Sequence, residues 1–515
     1  MSIFGAFRRL FSGRSRSAVN ASPSPRMIRA SYDAAQTTTD NTNHWAAADS
    51  YDADSANSLS VRKTLTKRSR YECNNNGHGK GIVLTQANYV IGRGPRLDIR
   101  TRSEGYNSMV EAAWIRWTNR VHFARKLRTA CKAKVGDGEG FIIARNNPAL
   151  RDPVKLDLVG TECEQVTTHQ LPWGEVNHID GIKFDEFGNP LSYDVLRYHP
   201  GGEWSYLASQ SEEVPAKFVL HWFREDRPGQ HRAVPELSPT LGLFAPNRRF
   251  REATVAAAET AADFAAVMRT NASPSEEPDA VRPFTSVPIE KRTLTALPFQ
   301  WEMQQLRAEH PNATYDTFVR SQICEESRPL NMPYNIAACD SSGYSFSGGR
   351  LDHLTYFVSV DVEQADCEDM VLDPLFELWW AEAILTYGWV GDAEFPPTHE
   401  WVWPARPQID DLKTANAREV GLGTGSVAPS DILTEDGRDW EVHVAKLAED
   451  YGVSAEEIKR ALFEVNVLSR SKHPQEPSAD SQDEPPPQPR NGNAINRVRA
   501  NGHNRLLHTN GSARP

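Results

Sequence analysis

The sequence predicts an α+β protein, with a helical start, a β-rich stretch, paired helices and polar tails at both ends. Three observations predict it. Short apolar runs bounded by turn residues gather between about residues 81 and 223 and again near 271–310. Segments with helical apolar spacing or alanine runs surround them. Of the 515 residues, 39% are hydrophobic and 24% charged, and the slightly low apolar share fits polar tails around a folded middle.

Residues 1–13 place Ile3, Phe4, Phe7, Leu10 and Phe11 at helical spacing, with Ser2 as N-cap, Arg8 and Arg9 on the polar side and Gly13 as stop. This reads either as a frayed tail or as a basic amphipathic helix that docks on a partner or a membrane. An Arg- and Ser-rich start without acids also resembles a transit peptide. Residues 14–30, with Ser22-Pro23-Ser24-Pro25, read as a flexible linker.

Residues 31–80 are expected to be helical, with a basic helix from Val61 to Tyr71. One helix is expected around Asn107–Arg128, carrying Trp114 and Trp117. Gly136-Asp137-Gly138-Glu139-Gly140 is expected as a hairpin turn leading into Phe141–Ala144. It lacks the regularly spaced oxygen ligands and bidentate Glu of a calcium loop. Strands are expected at Lys155–Val159, His178–Phe184 and Leu191–Tyr198, with Asp185–Asn189 turning between the last two.

The apolar run Val219-Leu220-His221-Trp222-Phe223 reads as a buried strand that ends at Arg224, and Arg227-Pro228-Gly229 is turn chemistry. Pro235, Pro239 and Pro246 suggest that the next long helix starts only after about Pro246. The alanines of 247–270 allow close helix approach. Residues 271–310, with short runs at Arg282–Pro288 and Leu294–Phe299, read as a small insertion before a helix over 312–328. Helices are expected from about Gly349 to Val371, and then from an Asp373 N-cap and Pro374 to a Gly388 stop. Trp379, Trp380 and Trp389 read as core or subunit-contact aromatics. Helices follow at Trp440–Tyr451 and Ser454–Leu468, and from Ser469 the chain reads as disordered.

Charge is unevenly placed. The net charge is −11, yet residues 1–30 carry six Arg and residues 490–515 five, neither with an acid, leaving −22 between them. An acidic middle argues against a folded surface that grips nucleic acid. It is compatible with a wall past which DNA slides, because neutralising ~6–10 phosphates already makes binding strong. The six cysteines, Cys73, Cys131, Cys163, Cys324, Cys339 and Cys367, show no CxxC pair and no zinc spacing, so reduced, mostly core thiols are expected. No apolar run reaches the length of a membrane span, which predicts a soluble protein.

Local enzyme motifs are missing. Gly79-Lys80 is followed by Gly81, with Asn74 where a P-loop needs its first glycine. There is no His-Glu-x-x-His, and Gly421-Leu422-Gly423-Thr424-Gly425 does not follow a strand as a dinucleotide fingerprint should. Ser347-Gly348-Gly349 has no His and Asp context.

Several blocks, in order, carry a resemblance. They are Tyr32-Asp33-Ala34-Ala35, His44-Trp45, Thr64-Leu65-Thr66-Lys67-Arg68-Ser69-Arg70 and Ile91-Gly92-Arg93-Gly94. The 219–235 stretch follows, then Met332-Pro333-Tyr334, Asp340 with Gly343-Tyr344-Ser345-Phe346-Ser347, and Trp401-Val402-Trp403-Pro404 with Gly437-Arg438-Asp439. Together they resemble the lambda family of phage portal proteins. Departures occur at Leu330, Asn331, Gly348-Gly349-Arg350 and Asp411.

The resemblance implies a portal fold: a β-rich wing, an α-helical stem, a small α/β clip, a helical crown and disordered tails. By that map, 1–30 is a basic arm, 31–235 the wing, 236–270 and 312–330 the stem helices and 271–311 the clip. Residues 331–349 hold the tunnel loop, 350–400 the long wing helices, 401–468 the crown-like helices and 469–515 the tail. The channel-facing residues it implies are Ser341, Ser342, Gly343, Tyr344, Ser345, Phe346, Ser347 and Arg350, with Arg350 anchoring the end of the loop. It also implies a dodecameric ring at a capsid vertex, non-specific double-stranded DNA in its channel, and docking of the terminase large subunit, head-completion or connector proteins and the major capsid or scaffold protein. No cofactor, metal, catalytic residue or membrane is implied. The rivals are a nucleic-acid-processing enzyme and another phage head or tail structural protein.

Overall fold

The computed structural model describes residues 38–168, 177–207, 210–263, 267–270, 301–304, 315–389, 396–406, 411–436, 438 and 440–468. The expected N-terminal amphipathic helix, the runs at 282–288 and 294–299 and the C-terminal tail lie outside these residues. The chain divides between Pro404 and Ala405 into two compact units.

The first unit opens with turns over residues 39–47 and three helices, α1 (Ala53–Ala56), α2 (Leu59–Asn75) and α3 (Gly77–Val90). Asn76 separates the last two in extended conformation, and its side chain accepts from the amides of His78 and Gly79, capping α3. Strand β1 (Arg96–Ile99) leads to α4 (Glu104–Arg120) and α5 (Phe123–Asp137). The single helix expected over 107–128 is thus two, because His122 takes a left-handed conformation at φ 55° and turns the chain.

The expected hairpin turn at 136–140 is instead a helix-to-strand junction. Gly136 and Asp137 finish α5, Gly138 caps it at φ 99°, and Glu139 begins β2 (Glu139–Asn146). β2 is the centre of a three-stranded antiparallel sheet, between β3 (Leu156–Thr161) and β8 (Val219–Phe223). A second antiparallel sheet runs β4 (His178–Ile179), β5 (Ile182–Phe184), β6 (Pro190–Leu196) and β7 (Ser211–Pro215) in order. The strand expected over 178–184 is a hairpin, turned by Asp180 and Gly181 at positive φ. Asp185–Asn189 forms the expected turn, with the Asp185 carboxylate accepting from the amides of Phe187 and Asn189.

Helix α6 (Leu241–Asp263) starts five residues before Pro246, not after it. The proline lies near the start of the helix, and both it and Gly242, whose carbonyl loses a partner, are exposed, so water can hydrate the freed group. Residues expected at the end of this helix form β9 (Val267–Thr270), antiparallel to β10 (Trp301–Gln304). Helix α7 (Tyr315–Ser327) follows, and Phe250 of α6 stacks on its Tyr315 and packs at a tilt against its Phe318. α8 (Tyr334–Ala337) is one turn.

Helices α9 (Phe346–Cys367) and α10 (Asp373–Tyr387) join through a π-helical segment, Glu368–Leu372, without leaving helical geometry. Asp373 is therefore not the N-cap expected of it. The wide π turn accommodates Pro374, which has no N–H to give. The Asp373 carboxylate instead accepts from Trp401 Nε1 at 2.7 Å and lies 3.2 Å from His399 Nε2. Both belong to β11 (His399–Val402), which pairs antiparallel with β1 some 300 residues earlier.

The main core gathers Trp114, Trp117, Phe123, Phe376, Trp379 and Trp380 with Ile82, Leu127, Leu220 and Trp222. Trp114 meets Trp379 edge to face at 5.1 Å. Of the cysteines, Cys131, Cys163 and Cys367 are buried, Cys73 is half-buried, and Cys324 and Cys339 are exposed; all are free thiols. No helix among the described residues is long and apolar enough to cross a membrane.

The second unit is helical: α11 (Asp411–Thr424), α12 (Pro429–Glu435), α13 (Trp440–Tyr451) and α14 (Ala455–Phe463), closed by a π turn at Glu464–Leu468. Ser454 and Glu457 form a capping box that starts α14.

Candidate functional site

The sequence-predicted loop lies between α8 and α9. Cys339 turns the chain at φ 52°, Asp340 accepts from the Ser342 amide at 2.9 Å, and the Tyr344 amide donates to the Ser341 carbonyl. Hydrogen bonding from Ser342 holds the Asp340 carboxyl below the usual range. Ser345 ends the loop: its Oγ accepts from the Gly348 amide and caps α9. Phe346, Ser347 and Arg350 thus belong to the first turns of α9, not to the loop, although they adjoin it. Ser341, Ser342, Gly343, Ser345, Ser347 and Arg350 are exposed and Tyr344 is half-buried.

Arg350 has no hydrogen bond or ion pair among the described residues. The cation that holds the loop is Arg320 of α7. Its Nη2 donates to the Tyr344 hydroxyl at 2.9 Å, and its guanidinium lies 4.7 Å from the Tyr334 ring and 5.2 Å from the Tyr344 ring. An arginine inside a helix carries no local signal of that role, so the sequence did not reveal it. The loop so formed presents backbone and hydroxyl groups, with one carboxylate turned into its own backbone.

Two buried charge clusters lie elsewhere in the first unit. Glu139, at the start of β2, accepts from Arg232 Nε and Nη2 at 2.8 and 2.7 Å and from the Ala233 amide at 2.7 Å. Burial alone would raise the Glu139 pKa, but Arg232 and His221 outweigh it and hold it well below the carboxylate range. Arg62 of α2 pairs with Asp180, and burial and then the neighbouring Arg232 pull its pKa down to about 10. His221 stacks between Phe141 at 4.2 Å and Phe223 at 4.4 Å.

In the second cluster the fully buried Lys134 of α5 donates to Glu236 and Glu363, each at 2.6 Å. Burial would depress the ammonium, but the two carboxylates outweigh it and raise its pKa. Burial and the Glu236 charge push Glu363 up. Glu363 belongs to α9, so this cluster ties the long helix to α5 and to the segment after β8. Arg224, His221, Arg232 and Glu236 all come from the 219–236 stretch, which explains in physical terms why that stretch is so distinctive.

One set of residues has the composition of a metal site. Glu162, Glu164 and His199 bring ligand atoms within 4.8 Å of one another. Arg70 already occupies this set, meeting Glu164 at 2.7 Å, Glu162 at 3.1 Å and Asp137 at 2.7 Å. A guanidinium in that position supplies the charge a cation would bring, and the arrangement reads as a structural ion-pair knot.

The class of protein follows from comparison. Residues 38–364 match the model for "Phage portal protein, lambda family". The chain belongs to that family, and portal proteins are structural components of the virion. It is similar to a probable portal protein of Halomonas phage phiHAP-1, 23% identical over 422 residues that cover 75% of this chain and 80% of the relative. Similar solved structures include the neck of an empty gene transfer agent particle (11% identity, TM-score 0.39) and the virion of the native particle (10%, TM-score 0.40). Each covers 73% of this chain and 93% of its own.

Proposed function

We propose that this portal protein assembles as a dodecameric ring at one capsid vertex, where it conducts double-stranded DNA during packaging and ejection. The match across residues 38–364 carries the reading. Wing, stem, clip and crown follow as given by the family map, with α6 and α7 as the stem helices. In the ring, α6 packs against its neighbour's copy through its exposed alanines, 256–258. The loop at 339–345 and the start of α9 face the DNA. Its serines offer uncharged hydroxyls, and the exposed Arg350 beside them is the cation this segment presents to the phosphates. The terminase large subunit docks at the clip and supplies ATP-driven work, and head-completion proteins replace it later. The capsid or scaffold protein contacts the outer wing. Assembly runs in the host cytoplasm and ends in the virion.

Negative-stain class averages of the purified full chain test this. Rings of twelve or thirteen subunits with a central hole are expected. Uniform small globules at micromolar concentration would overturn it and favour the enzyme reading.

A further inference from the structure

Helix α9 has two apolar rows where a surface helix needs one. Tyr356, Val360, Cys367 and Val371 face the core at four-, seven- and four-residue steps. On the outer side, Leu351 is 64% exposed, Leu354 52%, Val358 65% and Val362 57%, at three- and four-residue steps. The outer row continues through exposed Ala365, then Asp369 of the π turn and Glu377, Ala381 and Leu385 of α10. Four large aliphatic groups in line on water form a continuous apolar strip, with acids further along the same face.

The complementary surface lies on the same unit. Lys67, Arg68, Tyr71, Glu72, Leu241 and Gly242 line a groove of about 320 Å³ between α2 and the start of α6. Tyr71 is 55% exposed and offers an aromatic face. Lys67 and Arg68 are exposed and form no ion pair among the described residues. Arg248 engages Glu72 and lies 5.5 Å above the Tyr71 ring, so the carboxylate is neutralised and the groove is basic. The outer face of α9 is apolar and its continuation through the π turn into α10 is acidic; the groove is aromatic and basic.

We propose that these two faces meet between neighbouring copies of this chain, the continuous α9–α10 rod of one subunit lying against the α2–α6 groove of the next. Because the two faces differ, the contact is head-to-tail and propagates around a ring. The inference rests on the ring reading above and names the surfaces that close it.

Charge reversal tests it on the full chain, read by native mass spectrometry and negative-stain imaging. Lys67→Glu with Arg68→Glu reverses the groove, and Asp369→Lys with Glu377→Lys reverses the helix. Each double variant alone is expected to lose rings and to keep the wild-type far-ultraviolet circular dichroism and melting temperature. Mixing the two restores rings of alternating composition, because each reversed face then meets its opposite, and the quadruple variant restores them in one chain. Val358→Asp also abolishes rings while remaining folded. Double variants that assemble as wild type overturn the inference, as does a folded quadruple variant that forms none. A Val358→Asp subunit that melts earlier yet still assembles assigns the row to another part of the same chain and likewise overturns it. A wild-type chain that forms no ring overturns the ring reading itself.

Discussion

The guanidinium of Arg232 sits in a two-bond fork on the carboxylate of Glu139, both buried, and so joins the segment after β8 to the first residue of β2. Such a pair contributes little relative to an apolar one, but losing one partner strands a charge. Arg232→Ala is therefore expected to destabilise the first unit by about 3–5 kcal/mol, read from its urea transition. A loss below about 1 kcal/mol means that water reaches Glu139 and the cluster is not sealed.

His221 supplies a pH signature. Burial first, then the charges of Arg232 and Arg62, lower its pKa below 6.5, against the pull of Glu139. The unfolded chain therefore binds this proton at a higher pH than the folded one. Stability falls as pH drops below about 6.5 toward the folded pKa, and this contribution is flat above that window. His221→Gln should remove that part of the slope, seen as a smaller difference between urea midpoints at pH 7.5 and 5.5. Equal slopes in the two proteins exclude the mechanism.

The loop gives a functional test. Replacing Ser341, Ser342 and Ser347 with lysine spares the Ser345 cap and adds three positive charges per subunit. In a ring that is far more than the ~6–10 contacts that already make DNA binding tight. Packaging in vitro is expected to slow, and more so at low salt. Unchanged rates at all salt concentrations remove the loop from the DNA path.

Arg320→Ala removes a hydrogen bond and a cation–π contact to Tyr344 of the loop and a second cation–π contact to Tyr334 of α8, worth roughly 1 kcal/mol at an exposed site. Hydrogen exchange at residues 339–345 should quicken severalfold while the core of α9 stays protected. Arg350→Ala is expected to leave the same amides unchanged.

Gly138 is conformationally required. Its φ is 99°, and a Cβ there would lie 2.5 Å from the Val234 backbone carbon. Gly138→Ala should cost more than about 1 kcal/mol and lower the melting temperature, whereas Gly349→Ala, with open space around it, should not.

The sequence alone determined the locally encoded parts. β8 falls at the predicted 219–223 and α13 at 440–451, because their apolar spacing needs no distant partner to be read. The turn at Asp185–Asn189 was legible for the same reason: side chain and backbone partner lie within four residues. The order of the motifs was likewise legible, and with it the family. Tertiary structure decided what depends on distant neighbours. It placed Asp373 on Trp401 rather than at a helix start, let α6 run through Pro246, and broke α4 from α5 at His122. It set Arg320 against the Tyr344 hydroxyl of the loop and buried Lys134 between carboxylates 102 and 229 residues away. Local propensities amount to tenths of a kcal/mol per residue, whereas burial and charge pairing involve several, so packing overrides them wherever the two conflict.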